Sequence, residues 1–130
     1  CPVCNRHLSN LQDSLEQIIE KGATVIAVSP EKPEFLNKTE EKTEAKFTRL
    51  YDEGYQIEDA YHVTFLPTAK QRLMYNSALK SDLKNVHSDD SERLPVPATY
   101  IIGADGNIVW RQFDHDYKNR STVADMLRNL

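Results

Sequence analysis

The chain begins with Cys1-Pro2-Val3-Cys4, directly before an apolar ladder with the three- and four-residue spacings of one helix face. Gly22, just past the ladder, is a helix stop signal. Both thiols therefore fall in the first turn of the predicted helix. Residues three apart on a helix are neighbours, so the two sulfurs can close a disulfide. The ladder consists of Leu8, Leu11, Leu15, Ile18 and Ile19.

The start of a helix favours an ionised sulfur. Its unpaired amides and the positive end of its dipole stabilise a thiolate, most of all at Cys1. Pro2 suits an early helical position, because its missing N–H costs nothing there. The pattern predicts a reactive, reversible dithiol with Cys1 and Cys4 as its catalytic residues.

A metal site and an inert disulfide are the alternatives to this dithiol. Zinc takes about four ligands, whereas the chain has two cysteines and its four histidines show no ligand spacing. A structural disulfide across so short a loop would restrict the unfolded chain little. The sequence favours redox chemistry, and we expect neither a metal nor an organic cofactor. The histidines are His7, His62, His87 and His115.

Length and charge narrow the possible classes of protein. The 130 residues predict one domain, 1–130. The net charge of −4 argues against a nucleic-acid partner, and the longest apolar runs are far shorter than the ~20 residues of a membrane span. Because the first residue is Cys rather than Met, we expect an N-terminally truncated chain.

Residues 23–28 form a continuous apolar run, which predicts a strand buried on both faces. A helix followed by such a strand indicates a parallel sheet. That sheet needs a further strand before the helix, and we expect it upstream of Cys1.

The middle of the chain predicts short helices. Residues 55–61 form one, with Ile57 and Ala60 inward, and a helical insertion around 67–84 follows. Residues 85–93 are polar, so His87 is predicted to be solvated. The apolar positions of the insertion are Leu73, Met74, Leu79 and Leu83.

The last third predicts a hairpin and a closing helix. Residues 98–102 and 108–113 are its strands, Asp105-Gly106 lies at its tip, and Trp110 packs on one face. A helix over 120–130 follows, capped by Ser121 or Thr122. The buried side of this helix is Val123, Met126, Leu127 and Leu130.

Pro97 stands directly before the first hairpin strand, where it cannot donate to the ladder. A cis Val96-Pro97 bond facing a ligand is one solution. An ordinary trans proline at a strand start is the other, and the local sequence leaves both open.

These motifs, in this order, resemble the thioredoxin-fold redoxins. In particular, the chain resembles the peroxiredoxin-like branch of the alkyl hydroperoxide reductase/thiol-specific antioxidant (AhpC/TSA) superfamily. The resemblance rests on the Cys-x-x-Cys helix, the strand ending in Ser29-Pro30, the segment Val96 to Ile102, the turn Asp105-Gly106-Asn107-Ile108 and the stretch Phe113 to Arg120.

The resemblance implies an α/β, thioredoxin-like fold with a central mixed sheet flanked by helices. It implies that Pro97 is a cis-proline facing the dithiol, with Val96 and Thr99 beside the substrate. Typical peroxiredoxins place an arginine just before the late strand, whereas this chain has Val96-Pro97-Ala98, as membrane-anchored thiol–disulfide reductases do. Arg6 and Arg93 are the substitutes that the sequence offers for that arginine.

The function implied is a thiol-dependent antioxidant oxidoreductase that reduces peroxides or disulfides. An external thiol such as thioredoxin or glutaredoxin would regenerate it, and we expect it in the cytoplasm. The alternatives are a thiol–disulfide reductase without peroxidase activity, a copper chaperone using both cysteines and His115, and an interaction module with an idle dithiol.

Overall fold

Helices and strands are interspersed along the chain, consistent with the predicted α/β class. The computed structural model describes residues 2–43, 46–78, 82–87, 91–116 and 118–130. The helices are α1 (Pro2–Asp13), α2 (Leu15–Glu20), α3 (Pro33–Thr43), α4 (Gln56–Ala60), α5 (Ala69–Leu73), α6 (Leu83–Val86) and α7 (Val123–Asn129), with a 3₁₀ turn at Glu53–Tyr55 and a π-helical turn at Met74–Ala78. The strands are β1 (Ile26–Ser29), β2 (Thr48–Tyr51), β3 (Thr64–Phe65), β4 (Leu94–Pro95), β5 (Ala98–Ile102) and β6 (Ile108–Phe113).

The strands pair as three two-stranded ladders, one parallel and two antiparallel. β1 runs parallel to β2, and β3 pairs antiparallel with β4. β5 and β6 form the predicted antiparallel hairpin. Gly106 has a φ of +85° in its turn, a conformation that L side chains rarely adopt.

The main core packs helices from the N-terminal part of the chain against the C-terminal helix α7. Leu11 and Ile18 of the predicted ladder are buried, although the helix is interrupted at Ser14. They form one cluster with Phe47 and with Met126 of α7. The half-buried side chains packed against this cluster are Leu8, Leu15, Ala23, Val25, Ala27, Trp110, Val123 and Leu127. The helix that begins at the cysteine motif is therefore anchored by apolar burial.

The prediction of a strand buried on both faces is wrong for β1. The strand begins at Ile26, and its residues alternate between exposed and half-buried. Ile26 and Val28 are exposed, whereas Ala27 between them packs against the main core. Successive side chains of a strand point to opposite faces, and only one face of β1 is covered by this core.

The inward positions of the short helices also differ from the prediction. Ile57 and Ala60 of α4 are exposed, and Glu58 is buried instead. In the insertion, Leu83 is buried while Leu73 and Met74 are exposed. Leu79 lies outside the described residues.

His87 is buried, and the prediction that it is solvated is wrong. The cause is Tyr55, which is 0% exposed and whose hydroxyl lies 3.1 Å from His87 Nδ1. The same hydroxyl donates to the Arg93 carbonyl at 3.0 Å. Since a hydroxyl has one proton, its oxygen is left to accept from His87 Nδ1–H. A polar residue in a loop-like stretch is thus buried by a partner 32 positions away.

Asp52 and Glu58 form a buried carboxyl pair, here called the acid pair, at the start of α4. Burial acts to raise the pKa of Asp52, but the backbone amides of Ile57 and Glu58 donate to its carboxylate and hold the pKa below its ordinary value. Burial, first of all, and then the neighbouring carboxylates of Asp52 and Asp59 raise the pKa of Glu58 to about 8, against an opposing effect of Arg93. Glu58 is therefore uncharged beside an ionised Asp52 near neutral pH.

α7 begins at Val123, three residues after the predicted start, and Thr122, one of the two predicted capping residues, is its cap. The Thr122 hydroxyl accepts from the Asp125 amide, and the Asp125 carboxylate accepts from the Thr122 amide. This capping box satisfies two backbone donors that the helix would otherwise leave unpaired. Leu130 is exposed, contrary to its predicted place on the buried side.

Candidate functional site

Cys4 lies in the first turn of α1, with the side chain of Arg120 beside it. Arg120 Nη2 donates to Cys4 Sγ at 3.1 Å, and both residues are half-buried. Arginine keeps its charge at all ordinary pH values. A permanent positive charge is therefore in hydrogen-bonding contact with one of the two predicted redox sulfurs.

His7, one turn after Cys4 on α1, joins this helix to the segment that carries Arg120. Its Nε2 lies 3.1 Å from the Ser121 carbonyl, which can only accept, so the ring nitrogen carries the proton. The Ser121 hydroxyl lies 2.7 Å from Thr99 Oγ1 on β5. Helix, loop and strand thus meet at Ser121. We call the group of Cys4, His7, Thr99, Arg120 and Ser121 the thiol end.

Near neutral pH, the cation beside Cys4 is Arg120 rather than His7. Burial lowers the pKa of His7; the bond to the Ser121 carbonyl acts to raise it, and the charge of Arg120 lowers it. The net shift is downward, which favours the neutral imidazole.

A small cavity of about 40 Å³ adjoins Arg120. It is large enough for on the order of two or three water-sized molecules. Two of the predicted site residues, Pro97 and Thr99, contribute to its wall. Because Arg120 both lines the cavity and donates to Cys4, it connects the cavity to the sulfur. The full lining is His7, Pro97, Ala98, Thr99, Gln112, Arg120 and Ser121.

Val96, which precedes the cavity-lining Pro97, is buried, and its N–H donates to the Val63 carbonyl. The Val96-Pro97 bond is trans, since the described residues contain no cis peptide bond, and the prediction of a cis-proline is wrong. A trans proline costs no ladder hydrogen bond here, because the pairing of β5 with β6 begins one residue later, at Ala98.

Sequence reasoning missed most of the thiol end. It offered Arg6 and Arg93 as the site arginine, but Arg6 is exposed and Arg93 pairs with Asp59 at 3.1 Å. The available signal for His7 was its position three residues after Cys4, on the same helix face. Arg120 lies at the end of the stretch used for the family resemblance, yet nothing in the local sequence aims it at a sulfur. Cys1 lies outside the described residues.

The proposed copper ligand His115 is exposed in the turn after β6. In the described part of the chain, no three or more His, Cys, Asp or Glu side chains gather as a metal-binding group. No helix within the described ranges has the length and apolar content to cross a membrane.

The sequence matches a known protein family. A sequence model described as the AhpC/TSA family matches residues 1–111, from the cysteine motif into β6. The chain belongs to the AhpC/TSA family. The predicted family resemblance and the thioredoxin-like α/β fold class are thereby confirmed.

Individual AhpC/TSA relatives match over a shorter stretch. Peroxiredoxin Bcp of Escherichia coli strain K12 is 32% identical over 62 residues, which is 48% of this chain and 40% of that protein. Two proteins named putative peroxiredoxin bcp, from Escherichia coli O6:H1 and from Shigella flexneri, match with the same identity and coverage. The aligned stretch thus spans about 40% of the length of the curated relatives.

Proposed function

We propose that the chain is a thiol-dependent antioxidant oxidoreductase that reduces peroxides or disulfides through Cys1 and Cys4. The observation that carries this proposal is the contact of Arg120 with Cys4 next to a small cavity that Arg120 also lines, in a chain of the AhpC/TSA family. A guanidinium group on a sulfur favours thiolate chemistry. The names of the relatives support peroxide as one substrate class.

In the proposed reaction with a peroxide, the Cys1 thiolate attacks one oxygen and the O–O bond breaks. Cys1 becomes a sulfenic acid, and the other oxygen, once protonated, leaves as water from hydrogen peroxide or as an alcohol from an organic hydroperoxide. The Cys4 sulfur then attacks the Cys1 sulfur, water is lost and the disulfide forms. With a disulfide substrate, a mixed disulfide on Cys1 replaces the sulfenic acid. An external thiol, such as that of thioredoxin or glutaredoxin, would reduce the disulfide.

Pro97, Val96 and Thr99 have supporting roles in this proposal. Pro97 and Thr99 line the cavity next to Arg120, which supports the proposal that they contact a small substrate. Val96 is buried and bonded to Val63, which suits it to fixing the position of Pro97. The cytoplasmic location stays a prediction.

The test is turnover of Cys1→Ser and Cys4→Ser with hydrogen peroxide and, separately, with a protein disulfide. We expect no turnover from Cys1→Ser, and a sulfenic acid or mixed disulfide that accumulates on Cys1 in Cys4→Ser. The variant lacking both cysteines is the blank, since the chain has no third one. Multi-turnover activity of Cys1→Ser would remove Cys1 as the nucleophile.

Comparing the two substrates decides between the closest alternatives. Turnover with the protein disulfide alone would indicate a thiol–disulfide reductase without peroxidase activity. Activity with neither substrate, together with tight Cu(I) binding in equilibrium dialysis, would support the copper chaperone instead.

A further inference from the structure

We propose that Arg120 is a catalytic residue that stabilises the Cys4 sulfur as the leaving thiolate when the Cys1–Cys4 disulfide is reduced. This inference rests on the proposed function, because it needs that disulfide to form. It adds a direction to the chemistry: the external thiol attacks Cys1, and Cys4 leaves.

Three features of the thiol end carry the proposal. Arg120 Nη2 already donates to Cys4 Sγ at 3.1 Å, so little rearrangement is needed as negative charge develops on the sulfur. Arg120 is half-buried, which makes its hydrogen bond stronger than one in open water. Its neighbour Ser121 is buried and bonded to both His7 and Thr99, which fixes the backbone from which the guanidinium extends.

His7 is poorly suited to the same task. Its Nε2–H is used by the Ser121 carbonyl, and its lowered pKa favours the uncharged ring near neutral pH. Arg120 is charged throughout that range. Arg120 therefore supplies the positive charge that stabilises the leaving thiolate, and His7 helps to position Arg120.

The reductive step balances as follows. A thiolate of an external dithiol attacks Cys1 Sγ, the S–S bond breaks, and its electron pair moves to Cys4 Sγ, to which Arg120 donates. The second thiolate of the dithiol then attacks its partner sulfur in the mixed disulfide and releases the Cys1 thiolate. The dithiol is oxidised to a disulfide, the protein gains two electrons, and solvent supplies the protons. A better-stabilised leaving thiolate leaves faster.

The experiment measures how fast dithiothreitol reduces the oxidised chain, with samples quenched by an alkylating reagent and weighed by mass spectrometry. Arg120→Met removes the positive charge but keeps a long side chain. Arg120→Lys keeps the charge but replaces the planar guanidinium group with an ammonium group. We expect Arg120→Met to slow reduction about 10- to 100-fold, the usual range for losing a hydrogen bond to a charged group. The reduction rate of Arg120→Lys should lie between those of the parent and Arg120→Met.

The matched control is Arg128→Met, which removes an exposed arginine of α7 whose partner is Asp125. The oxidised variant should be reduced at a rate within about twofold of the parent's, because the partner of Arg128 is a carboxylate and not the sulfur. Circular dichroism checks folding; if Arg120→Met is unfolded, the comparison of Arg120→Lys with the parent decides.

The outcomes separate the two proposals. Reduction of folded Arg120→Met, or of Arg120→Lys where it is the deciding variant, at the parental rate overturns the role of Arg120 and leaves the redox function standing. Absence of any Cys1–Cys4 disulfide in the oxidised parent, visible in the mass before reduction begins, overturns both. A mixed disulfide trapped on Cys4 instead of Cys1 overturns the direction of attack.

Discussion

The acid pair and the thiol end both keep an ionisable group neutral by burial, but with opposite consequences. Neutral Glu58 holds a proton, whereas neutral His7 has given one up. Alkali therefore charges Glu58 at the acid pair, and acid charges His7 at the thiol end. The same desolvation gives the two regions opposite sensitivities to pH.

The two regions also differ in how deeply their polar groups are buried. Tyr55, Asp52 and Glu58 are each at most 5% exposed, while Cys4, His7 and Arg120 are half-buried. Deep burial makes the cost of an unpaired group high. We therefore expect substitutions near the acid pair to change stability, and substitutions at the thiol end to act mainly on reactivity.

The largest effect should come from Tyr55→Ala. The side chain is 0% exposed and bonded to both His87 and the Arg93 carbonyl. Its removal should lower the free energy of unfolding by about 3–5 kcal/mol, measured by urea denaturation. Tyr55→Phe keeps the ring and should cost about 1–2 kcal/mol. Equal losses from both variants would mean that the hydroxyl, and not the ring, stabilises this region.

The second prediction concerns Glu58→Gln across pH. Because the folded pKa of Glu58, about 8, lies above its unfolded value of 4.5, the folded state holds the extra proton between them. The stability contributed by Glu58 is full below the unfolded pKa and is lost as pH rises through about 8, at a slope of up to about 1.4 kcal/mol per pH unit. Glu58→Gln cannot ionise, so its stability should exceed the parent's increasingly as pH rises.

The control for this experiment is Glu53→Gln, which changes an exposed glutamate in the preceding 3₁₀ turn. Its stability profile should run parallel to that of the parent. If the stability profile of Glu58→Gln also ran parallel to that of the parent between pH 5 and 9, Glu58 would not hold its proton near neutral pH as described.

The third prediction isolates the hydroxyl contact at the thiol end. Ser121→Ala and Thr99→Val each remove one side of the 2.7 Å contact and should each cost about 1 kcal/mol. The double variant should cost less than the sum, by about 0.5–1 kcal/mol, in a double-mutant cycle read by urea denaturation. Full additivity would show that the two hydroxyls do not stabilise each other.

The smallest effect is predicted for His7→Gln at acid pH. The folded pKa of His7 lies below its unfolded value of 6.5, so the folded parent loses stability as pH falls below 6.5. The glutamine amide can still donate to the Ser121 carbonyl without titrating. The parent should therefore lose slightly more stability than His7→Gln on acidification, measured by urea denaturation at several pH values. A larger acid loss in the variant would contradict the neutral state of His7.

The sequence predicted the features that local rules control. The Thr122 cap, the Asp105-Gly106 turn and the helix that starts at the cysteine motif all depend on residues within a few positions of one another. Leu11, Ile18 and Met126 were predicted inward by helical spacing, and they form the core. The fold class followed from these features and the family resemblance.

The features that the sequence did not predict depend on distant partners. Arg120 and Cys4 are 116 positions apart, and Tyr55 and His87 are 32 apart. Glu58 was missed because periodicity assigns a charged residue to solvent, whereas the raised pKa of Glu58 lets it be buried uncharged. The cis-proline was transferred from the family, but the ladder begins after Pro97, and a trans bond satisfies it.

One consequence follows from the position of Trp110. It is the single tryptophan of the chain, half-buried on the hairpin, and it packs on the core shared by α1, α2 and α7. Its fluorescence therefore reports, without an added label, whether α1 and α7 remain packed against the hairpin. If oxidation of the cysteines changes the packing of α1, the same fluorescence would follow that oxidation in real time.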